Sequence, residues 1–590
     1  MSEYQLGGWD LSEIAKSPKS PEFQKQIKEI QLLSTKFERI KLKLDPKMSS
    51  KKFMSIIQDV EIISEKMSLI GGYASLSYSA NTQSDEATSL LTMITKLGSE
   101  ISNQVLFFDL WWKTQLDDRN SARLIKDSGE LSGYLKHKRL VAKYSLSEAE
   151  ERIINTLDVT GITALVKLYD KITNAFEYKM KIGNRTKKLT REELTNYVRS
   201  TSAKTREEAY KTLLTKYFEN KGVVGEIYQN IVLNWKQEGV DIRKYKSPIS
   251  MRNIGNDVDD KTIESLLQVC RKNAPVFQKF FIQKAKMLNM KKLRRYDLYA
   301  PSSSKIKEKN YSYEKSVKLV FDSLGKFSPQ LEKFARKVFD QNHVDSSIRV
   351  GKRDGAFCST LNPKITPFVL VNFTGKSRDV FTLAHELGHA VHSQAAQDRS
   401  ILVQDAPLPL AETASTFSEL LLYDNISNKI TSNEKKVMLS EKIDDLYATI
   451  MRQSFFTIFE KDAHAQIGQG TTIDEISKGY LKNLKEQFGN AVNVSDDFAI
   501  EWSYIPHFYH TPFYCYAYSF GNLLALSLFQ RYKKEGNDFV PSYLSILSAG
   551  GSQKPEILLK EYGLDIGSSK FWQEGFDYIK TQVKELESLN

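Results

Sequence analysis

The residues with the clearest chemical potential are two histidines and a glutamate in the segment His385-Glu386-Leu387-Gly388-His389. Residues four apart lie on one face of an α-helix, so both imidazoles can bind a single metal ion. Zinc accepts imidazole nitrogens at about 2.0 to 2.1 Å, and a glutamate between such histidines is suited to take a proton from water. The spacing therefore predicts one Zn²⁺ per chain, bound by His385 and His389, with Glu386 as general base.

A third protein ligand is expected, because a catalytic zinc usually has three and leaves one position for water. The metzincin spacing fails at His392 and Ala395, and the thermolysin-type spacing falls on Pro409. The segment A-E-T-A-S-T-F-S-E, residues 411–419, begins a predicted helix with two glutamates on one face. We expect Glu412 to bind the metal and Glu419 to accept the second ring N–H of a histidine.

A run of histidines and tyrosines follows at residues 506–518, which read P-H-F-Y-H-T-P-F-Y-C-Y-A-Y. Their N–H and O–H groups are suitable donors to the oxyanion that develops when water attacks a peptide carbonyl. Aromatic runs are also common in protein cores. The residues alone therefore leave open which side chains take part among His507, Tyr509, His510, Tyr514, Tyr516 and Tyr518.

The elements that must position these residues are mostly helical. Three pairs match the capping box, a hydroxyl followed three residues later by a glutamate: Ser147 with Glu150, Thr190 with Glu193, and Thr205 with Glu208. Apolar residues at helical spacing predict one buried stripe through Leu165, Leu168, Ile172 and Phe176, and another through Val380, Leu383, Leu387 and Val391, in a helix capped by Ser377. The segment from Pro367 to Thr374 is the clearest strand candidate, and it could pair as an edge with an extended peptide.

Length and composition place the chain among large globular proteins. With 590 residues, it exceeds the size at which one core usually stops growing. A turn signal at Gly183-Asn184-Arg185 suggests an N-terminal helical domain over 1–185 and a catalytic domain over 186–590. The most apolar early segment, from Val105 to Trp112, is too short to span a membrane.

Charge and cysteine content restrict the partners and the compartment. The net charge of +12 comes from lysines spread through helices among glutamates, and no nucleic-acid-binding signature is present. The three cysteines form no C-x-x-C pair, and the N-terminus does not read as a secretory signal. We expect a cytoplasmic protein, a monomer or weak homo-oligomer, without a nucleic-acid or membrane partner.

Taken together, H-E-L-G-H, A-E-T-A-S-T-F-S-E and H-F-Y-H-T-P-F-Y-C-Y-A-Y resemble the M3 metallopeptidases, specifically the oligoendopeptidase F group. The resemblance includes G-K-R-D-G-A-F-C at 351–358 and S-A-G-G-S at 548–552, and extends from about residue 110 onward. It implies zinc ligands His385, His389 and Glu412, Glu386 as base, and a mainly α-helical, two-lobed fold with a deep channel and a small β-sheet beside the zinc helix. It also implies His507, Tyr509 and Tyr516 as catalytic groups opposite the metal.

The predicted function is zinc-dependent endopeptidase cleavage of short unstructured peptides. A zinc exopeptidase and a non-catalytic peptide-binding module are the alternatives. The intact Glu386 disfavours the binding module, because a binder needs no base there. A deformylase is disfavoured because it takes a cysteine as third ligand, and no cysteine stands at a matching position.

Overall fold

The computed structural model describes residues 3–183, 185–301 and 310–589, and most of these residues are helical. The α-helices, in chain order, are α1 (Pro21–Glu38), α2 (Ser50–Ala80), α3 (Asp85–Leu110), α4 (Asp118–Lys126), α5 (Ser132–Ala142), α6 (Glu148–Thr160), α7 (Ile162–Asn174), α8 (Arg191–Tyr197), α9 (Ala203–Glu219), α10 (Lys221–Lys236), α11 (Pro248–Gly255), α12 (Asp260–Lys272), α13 (Ala274–Met287), α14 (Tyr313–Phe327), α15 (Pro329–Asp340), α16 (Ser377–Ala395), α17 (Leu408–Ala411), α18 (Thr413–Ser427), α19 (Ser432–Leu446), α20 (Arg452–Ile467), α21 (Ile473–Phe488), α22 (His507–His510), α23 (Tyr516–Glu535), α24 (Val540–Ser548), α25 (Pro555–Glu561) and α26 (Ser569–Ser588). The strands are β1 (Tyr178–Ile182), β2 (Arg185–Leu189), β3 (Leu293–Arg294), β4 (Val344–Asp345), β5 (Phe357–Ser359), β6 (Phe368–Leu370) and β7 (Val492–Asn493).

The predicted helix starts are confirmed at two of three places. Complete capping boxes begin α6 at Ser147 and α8 at Thr190. The prediction at Thr205 is wrong, because α9 begins one turn earlier, where the Ser202 hydroxyl accepts the Thr205 N–H. Ser202 has no glutamate three residues later, whereas Thr205 has Glu208. The capping-box pattern in the sequence therefore favours Thr205 over the true cap.

The chain forms two compact units, each assembled from three stretches. The first contains Met1–Lys143, Glu308–Asn428 and Leu528–Leu564, and the second contains Tyr144–Lys307, Lys429–Ser527 and Asp565–Asn590. The predicted domain boundary falls inside the second unit, in the turn between β1 and β2, where Gly183 has φ of 60°. Asn184 lies outside the described residues, and the division at 185 stays a prediction.

The first unit contains the helix with H-E-L-G-H and a three-stranded sheet. Its main apolar core joins α1, α2 and α3 through large buried side chains such as Phe37, Phe53 and Phe108. Trp9, near the N-terminus, packs its ring on Phe357 of β5 and Phe368 of β6, with centroids 6.1 Å away in each case. The mainly helical fold with a small sheet beside the H-E-L-G-H helix is confirmed.

The position of the predicted strand within that sheet differs from the prediction. Strand β6 lies in the middle, parallel to β4 on one side and antiparallel to β5 on the other. An interior strand has both hydrogen-bonding edges occupied, so β6 cannot pair with a peptide as proposed from the sequence. Within the described residues, β5 pairs only with β6, and β5 is therefore an edge strand.

The second unit is built from α6 to α13, α19 to α22, the first part of α23 (residues 516–527) and α26, with short strand pairs β1–β2 and β3–β7. The stripe predicted on α7 is wrong at Leu168, which is exposed, while Tyr169 and Thr173 form the buried face of this helix. Across residues 3–183, 185–301 and 310–589, no helix has both the length and the apolar character needed to cross a membrane.

Candidate functional site

Helix α16 holds the H-E-L-G-H segment rigidly against the core of the first unit. The Asp379 carboxylate accepts the main-chain N–H groups of Thr374 and Lys376, which fixes the start of the helix. The predicted cap, Ser377, is instead the first helical residue. The predicted apolar stripe of Val380, Leu383, Leu387 and Val391 is fully buried, so the histidines are left on the opposite, pocket-facing side.

The ring of His385 is oriented by a carboxylate on a second helix. Nδ1 of His385 hydrogen-bonds Oε1 of Glu419, which belongs to α18. Its other nitrogen, Nε2, lies 3.2 Å from Oε2 of Glu412, and Nε2 of His389 lies 3.5 Å from the same oxygen. A histidine that donates one N–H to a carboxylate presents its other nitrogen as a ligand in a fixed direction.

Glu412 lies at the junction between α17 and α18. Its Oε2 accepts a hydrogen bond of 2.8 Å from the Ser415 hydroxyl. Burial favours the neutral acid, but His385, His389 and Ser415 outweigh it and lower the pKa of Glu412 to about 2. Glu412 is therefore ionised at neutral pH, the state that a metal ligand requires.

The close approach of α16 and α18 depends on Gly388. A Cβ atom at this position would lie 2.6 Å from the Ala414 carbonyl oxygen and 2.6 Å from the Ser415 Cα. Both are main-chain atoms, which cannot move aside as a flexible side chain could. Glycine at position 388 thus allows α18 to bring Glu412 to the two histidines.

Ligand atoms of His385, His389 and Glu412 all lie within 4.8 Å of one another. They form a set of two imidazoles and one carboxylate, the donor types that zinc takes at catalytic sites. The three side chains therefore fit a zinc ion by donor chemistry and by proximity. Helix geometry imposes the spacing of His385 and His389, whereas Glu412 joins them through the packing of α18 on α16.

A pocket of about 490 Å³ opens beside these ligands, and Glu386 lines it. Burial raises the pKa of Glu386 to about 7, although the charge of His385 and a main-chain hydrogen bond from Cys358 oppose this. A carboxylate with a pKa near neutrality is suited to take up and return a proton. The remaining lining residues are Ala356, Phe357, Cys358, Thr360, His385, His389, His392, Ser393, Gln404, Asp405, Ala406, Ala411 and Glu412.

The motif G-K-R-D-G-A-F-C forms the loop that leads into β5. The ammonium group of Lys352 is buried and donates to the carbonyls of Asp345, Ser347 and Val371, and it also pairs with the Asp345 carboxylate. Gly351 and Gly355 have φ of 83° and 80°, which glycine adopts readily. This loop fixes the edge strand that borders the pocket, a role that the sequence alone did not reveal.

The second unit contains the predicted oxyanion donors, in two different environments. Tyr509 and Tyr516 are buried: the Tyr509 hydroxyl donates to the Val224 carbonyl at 3.3 Å, and Asn256 donates to the Tyr516 hydroxyl at 2.8 Å. His507 forms a half-buried cluster with Tyr514 and Tyr518, in which the Tyr518 hydroxyl lies 3.4 Å from Nε2 of His507.

The loop between α22 and α23 is held by a buried acid. Phe513 has φ of 59°, an uncommon value for a residue other than glycine, and its N–H donates to Oε1 of Glu460 at 2.9 Å. The guanidinium of Arg252 donates to the neighbouring Pro512 carbonyl at 3.1 Å. Glu460 is fully buried, and burial raises its pKa to about 8.

Glu460 is expected to make the protein less stable as the pH rises from about 4.5 to about 8, because the folded protein binds a proton that the unfolded chain releases. One pKa unit corresponds to about 1.4 kcal/mol, so this loss is a few kcal/mol. Glu460→Gln keeps an acceptor for Phe513 and cannot ionise. At each pH, the midpoint of thermal unfolding of this variant is compared with that of the unmodified protein. The difference, variant minus unmodified, should be larger at pH 8.5 than at pH 5.5. An equal difference at both pH values would contradict the assignment.

Comparisons with known proteins agree with the resemblance seen in the motifs. The model of peptidase family M3 matches residues 196–578. An oligoendopeptidase F homologue of Borreliella burgdorferi is 27% identical, with 98% of each chain covered. The chromosomal oligoendopeptidase F of Lactococcus lactis subsp. cremoris is 25% identical, with 98% of this chain and 97% of that protein covered.

Solved structures share the fold at lower identity. A chain from Chlamydophila abortus superimposes with a TM-score of 0.88 at 24% identity, covering 99% of this chain and 100% of that one. Oligoendopeptidase F from Enterococcus faecium superimposes with a TM-score of 0.71 at 21% identity, covering 96% and 98%. Since the family model spans well over half of the chain, this protein belongs to peptidase family M3, a family of metallopeptidases.

Proposed function

We propose that this peptidase is a zinc-dependent endopeptidase that cleaves short, unstructured peptides, with His385, His389 and Glu412 as ligands and Glu386 as base. The observation that carries the proposal is the convergence of the three ligand atoms beside a buried Glu386 in one pocket. Relatives named oligoendopeptidase F support the choice of oligopeptides as substrates. The free cysteines are consistent with a reducing, cytoplasmic site of action.

A bound zinc would supply a Lewis acid that lowers the pKa of water and polarises the scissile carbonyl. Glu386 takes a proton from the attacking water and later returns it to the leaving amine, so that it acts as base and then as acid. Burial of the Glu386 carboxyl in the pocket wall raises its pKa, which favours the protonated acid that the return step requires. Glu419 keeps the His385 ring in the orientation that presents Nε2.

The peptide backbone is proposed to align along β5, not along β6 as the sequence suggested. Strand β5 is an edge strand, and Phe357 and Cys358 line the pocket together with Glu386. Main-chain pairing to an edge strand gives affinity with little demand on side-chain identity. This mode of binding would allow peptides of many different sequences to be cleaved.

Metal analysis combined with an internally quenched peptide blocked at both ends tests the proposal. We expect about one zinc per chain, cleavage at an internal bond, loss of cleavage with a chelator and recovery after zinc is added. Cleavage that requires a free peptide end would favour the exopeptidase alternative. Zinc without cleavage of any peptide would favour a binding role.

Among the four tyrosines, we propose Tyr518, together with His507, as the donor to the oxyanion. Tyr509 and Tyr516 are buried: the Tyr509 hydroxyl donates to a main-chain carbonyl, and the Tyr516 hydroxyl accepts a hydrogen bond from Asn256. Tyr518, in contrast, is half-buried beside His507. Tyr518→Phe is expected to lower kcat by about 10²- to 10³-fold with little change in KM, since the bond forms only in the transition state. Tyr509→Phe is the matched control. It should lower the midpoint of thermal unfolding and leave kcat nearly unchanged, because the Tyr509 hydroxyl is buried and donates to a main-chain carbonyl. A larger loss of kcat in Tyr509→Phe than in Tyr518→Phe would indicate that Tyr509 is the donor.

A further inference from the structure

The glycine loop S-A-G-G-S packs directly on a segment that borders the pocket. The Gly551 N–H donates to the Val403 carbonyl at 2.7 Å. A Cβ atom at Gly550 would lie 2.5 Å from the Gln404 carbonyl oxygen, and one at Gly551 would lie 2.6 Å from the Asp405 carbonyl oxygen. The two glycines therefore bring main chain against main chain along residues 403–405.

The other side of this segment is tied to α16. The Gln404 side chain is buried, and its amide donates to the Ser393 carbonyl at 3.4 Å, one turn beyond His389. Residues 403–405 are thus fixed between the glycine loop and the helix that carries the histidines. This arrangement holds Asp405 at a defined place in the lining of the pocket.

The Asp405 carboxylate lacks a counter-charge in the described part of the chain, where no Lys, Arg or His side chain pairs with it. The residue is exposed, yet burial by the pocket walls raises the pKa of its carboxyl. The side chain can be exposed and still have a raised pKa because it faces a concave, partly desolvated pocket. A carboxylate in such a space gains more from an incoming cation than one on an open surface does.

We infer that Asp405 is a specificity residue that recognises a cationic group of the bound peptide: the side chain of lysine or arginine, or the free α-ammonium group. The inference rests on the proposed function, because it assumes that peptides occupy the pocket beside Glu386. The other pocket carboxylates are given different roles by the proposed function, since Glu412 contacts both histidines and Glu386 is the proposed base. Asp405 is left to interact with the substrate.

Paired peptides test this inference. In each pair, a quenched peptide carries lysine or ε-acetyl-lysine at one of the three positions on either side of the cleaved bond, and a further pair has a free or an acetylated N-terminus. We expect lysine, or the free N-terminus, to be preferred at one position by about tenfold in kcat/KM. Asp405→Asn should bring that ratio close to one. Asp398→Asn, an exposed neighbour outside the pocket lining, should leave the ratio unchanged.

Binding to the Glu386→Gln protein separates this inference from the catalytic proposal. Fluorescence anisotropy with the same peptide pairs should give a tenfold weaker Kd for the acetylated member, and the Asp405→Asn change should remove that difference. If no peptide is cleaved but the binding preference depends on Asp405, the catalytic proposal fails and this inference stands. A preference that survives Asp405→Asn, or no preference at any position, overturns it.

Discussion

Glu386→Gln is expected to lower kcat by about 10²- to 10⁴-fold while the zinc content stays near one per chain. Glutamine has the size of glutamate and cannot accept a proton, so the change removes the base without emptying the pocket. Glu386 is not one of the three clustered ligand residues, and its carboxyl is buried in the pocket wall. The loss should therefore appear in kcat more than in the affinity for metal.

Elemental analysis and cleavage of the blocked peptide, made on the same preparation, check this expectation. Glu22→Gln, an exposed glutamate in the first turn of α1, is the control for the chemical change itself. Full activity in Glu386→Gln would contradict the proposed mechanism. Loss of zinc in this variant would instead place Glu386 among the ligands.

His389→Ala is expected to lose metal and activity together. His389 offers one of the three clustered donor atoms, and its Nε2 lies 3.5 Å from the Glu412 carboxylate. Removing it leaves two ligands, which is fewer than a catalytic zinc usually has. Zinc content should fall from about one per chain to near zero after dialysis, and cleavage should fall to background.

His137→Ala in α5 is the matched control, because it removes a histidine from the same unit but away from the pocket. It should keep both metal and activity. If His389→Ala retained zinc at the original affinity, the ligand set proposed from the helix spacing would have to be replaced.

The parts of the site that depend on helix spacing could be predicted from the sequence. His385 and His389 are one helical turn apart, so local geometry places both imidazoles on one face of α16. Glu412 lies just before α18, and its approach to the histidines depends on how α18 packs on α16. The structure brings His385, His389 and Glu412 together and places Glu419 on the His385 ring.

The parts that depend on nonlocal pairing could not be predicted in this way. Strand β5 is three residues long, and its role as an edge follows from where β6 finds its partners. Asp405 has no periodic pattern, and it enters the pocket because a glycine loop far along the chain packs on its main chain. Leu168 matches an apolar stripe but is exposed, because tertiary packing buries Tyr169 instead.

The main-chain contact at Gly388 also limits how this protein can change during evolution or engineering. The separation of α16 and α18 is set by backbone atoms already in contact, so no side-chain substitution can draw the helices closer. A shorter third ligand, as in Glu412→Asp, could not be rescued by a compensating shift of α18. Metal preference in this scaffold can therefore be altered by changing the chemical identity of the ligands. Their spacing is determined by the main-chain contact between α16 and α18.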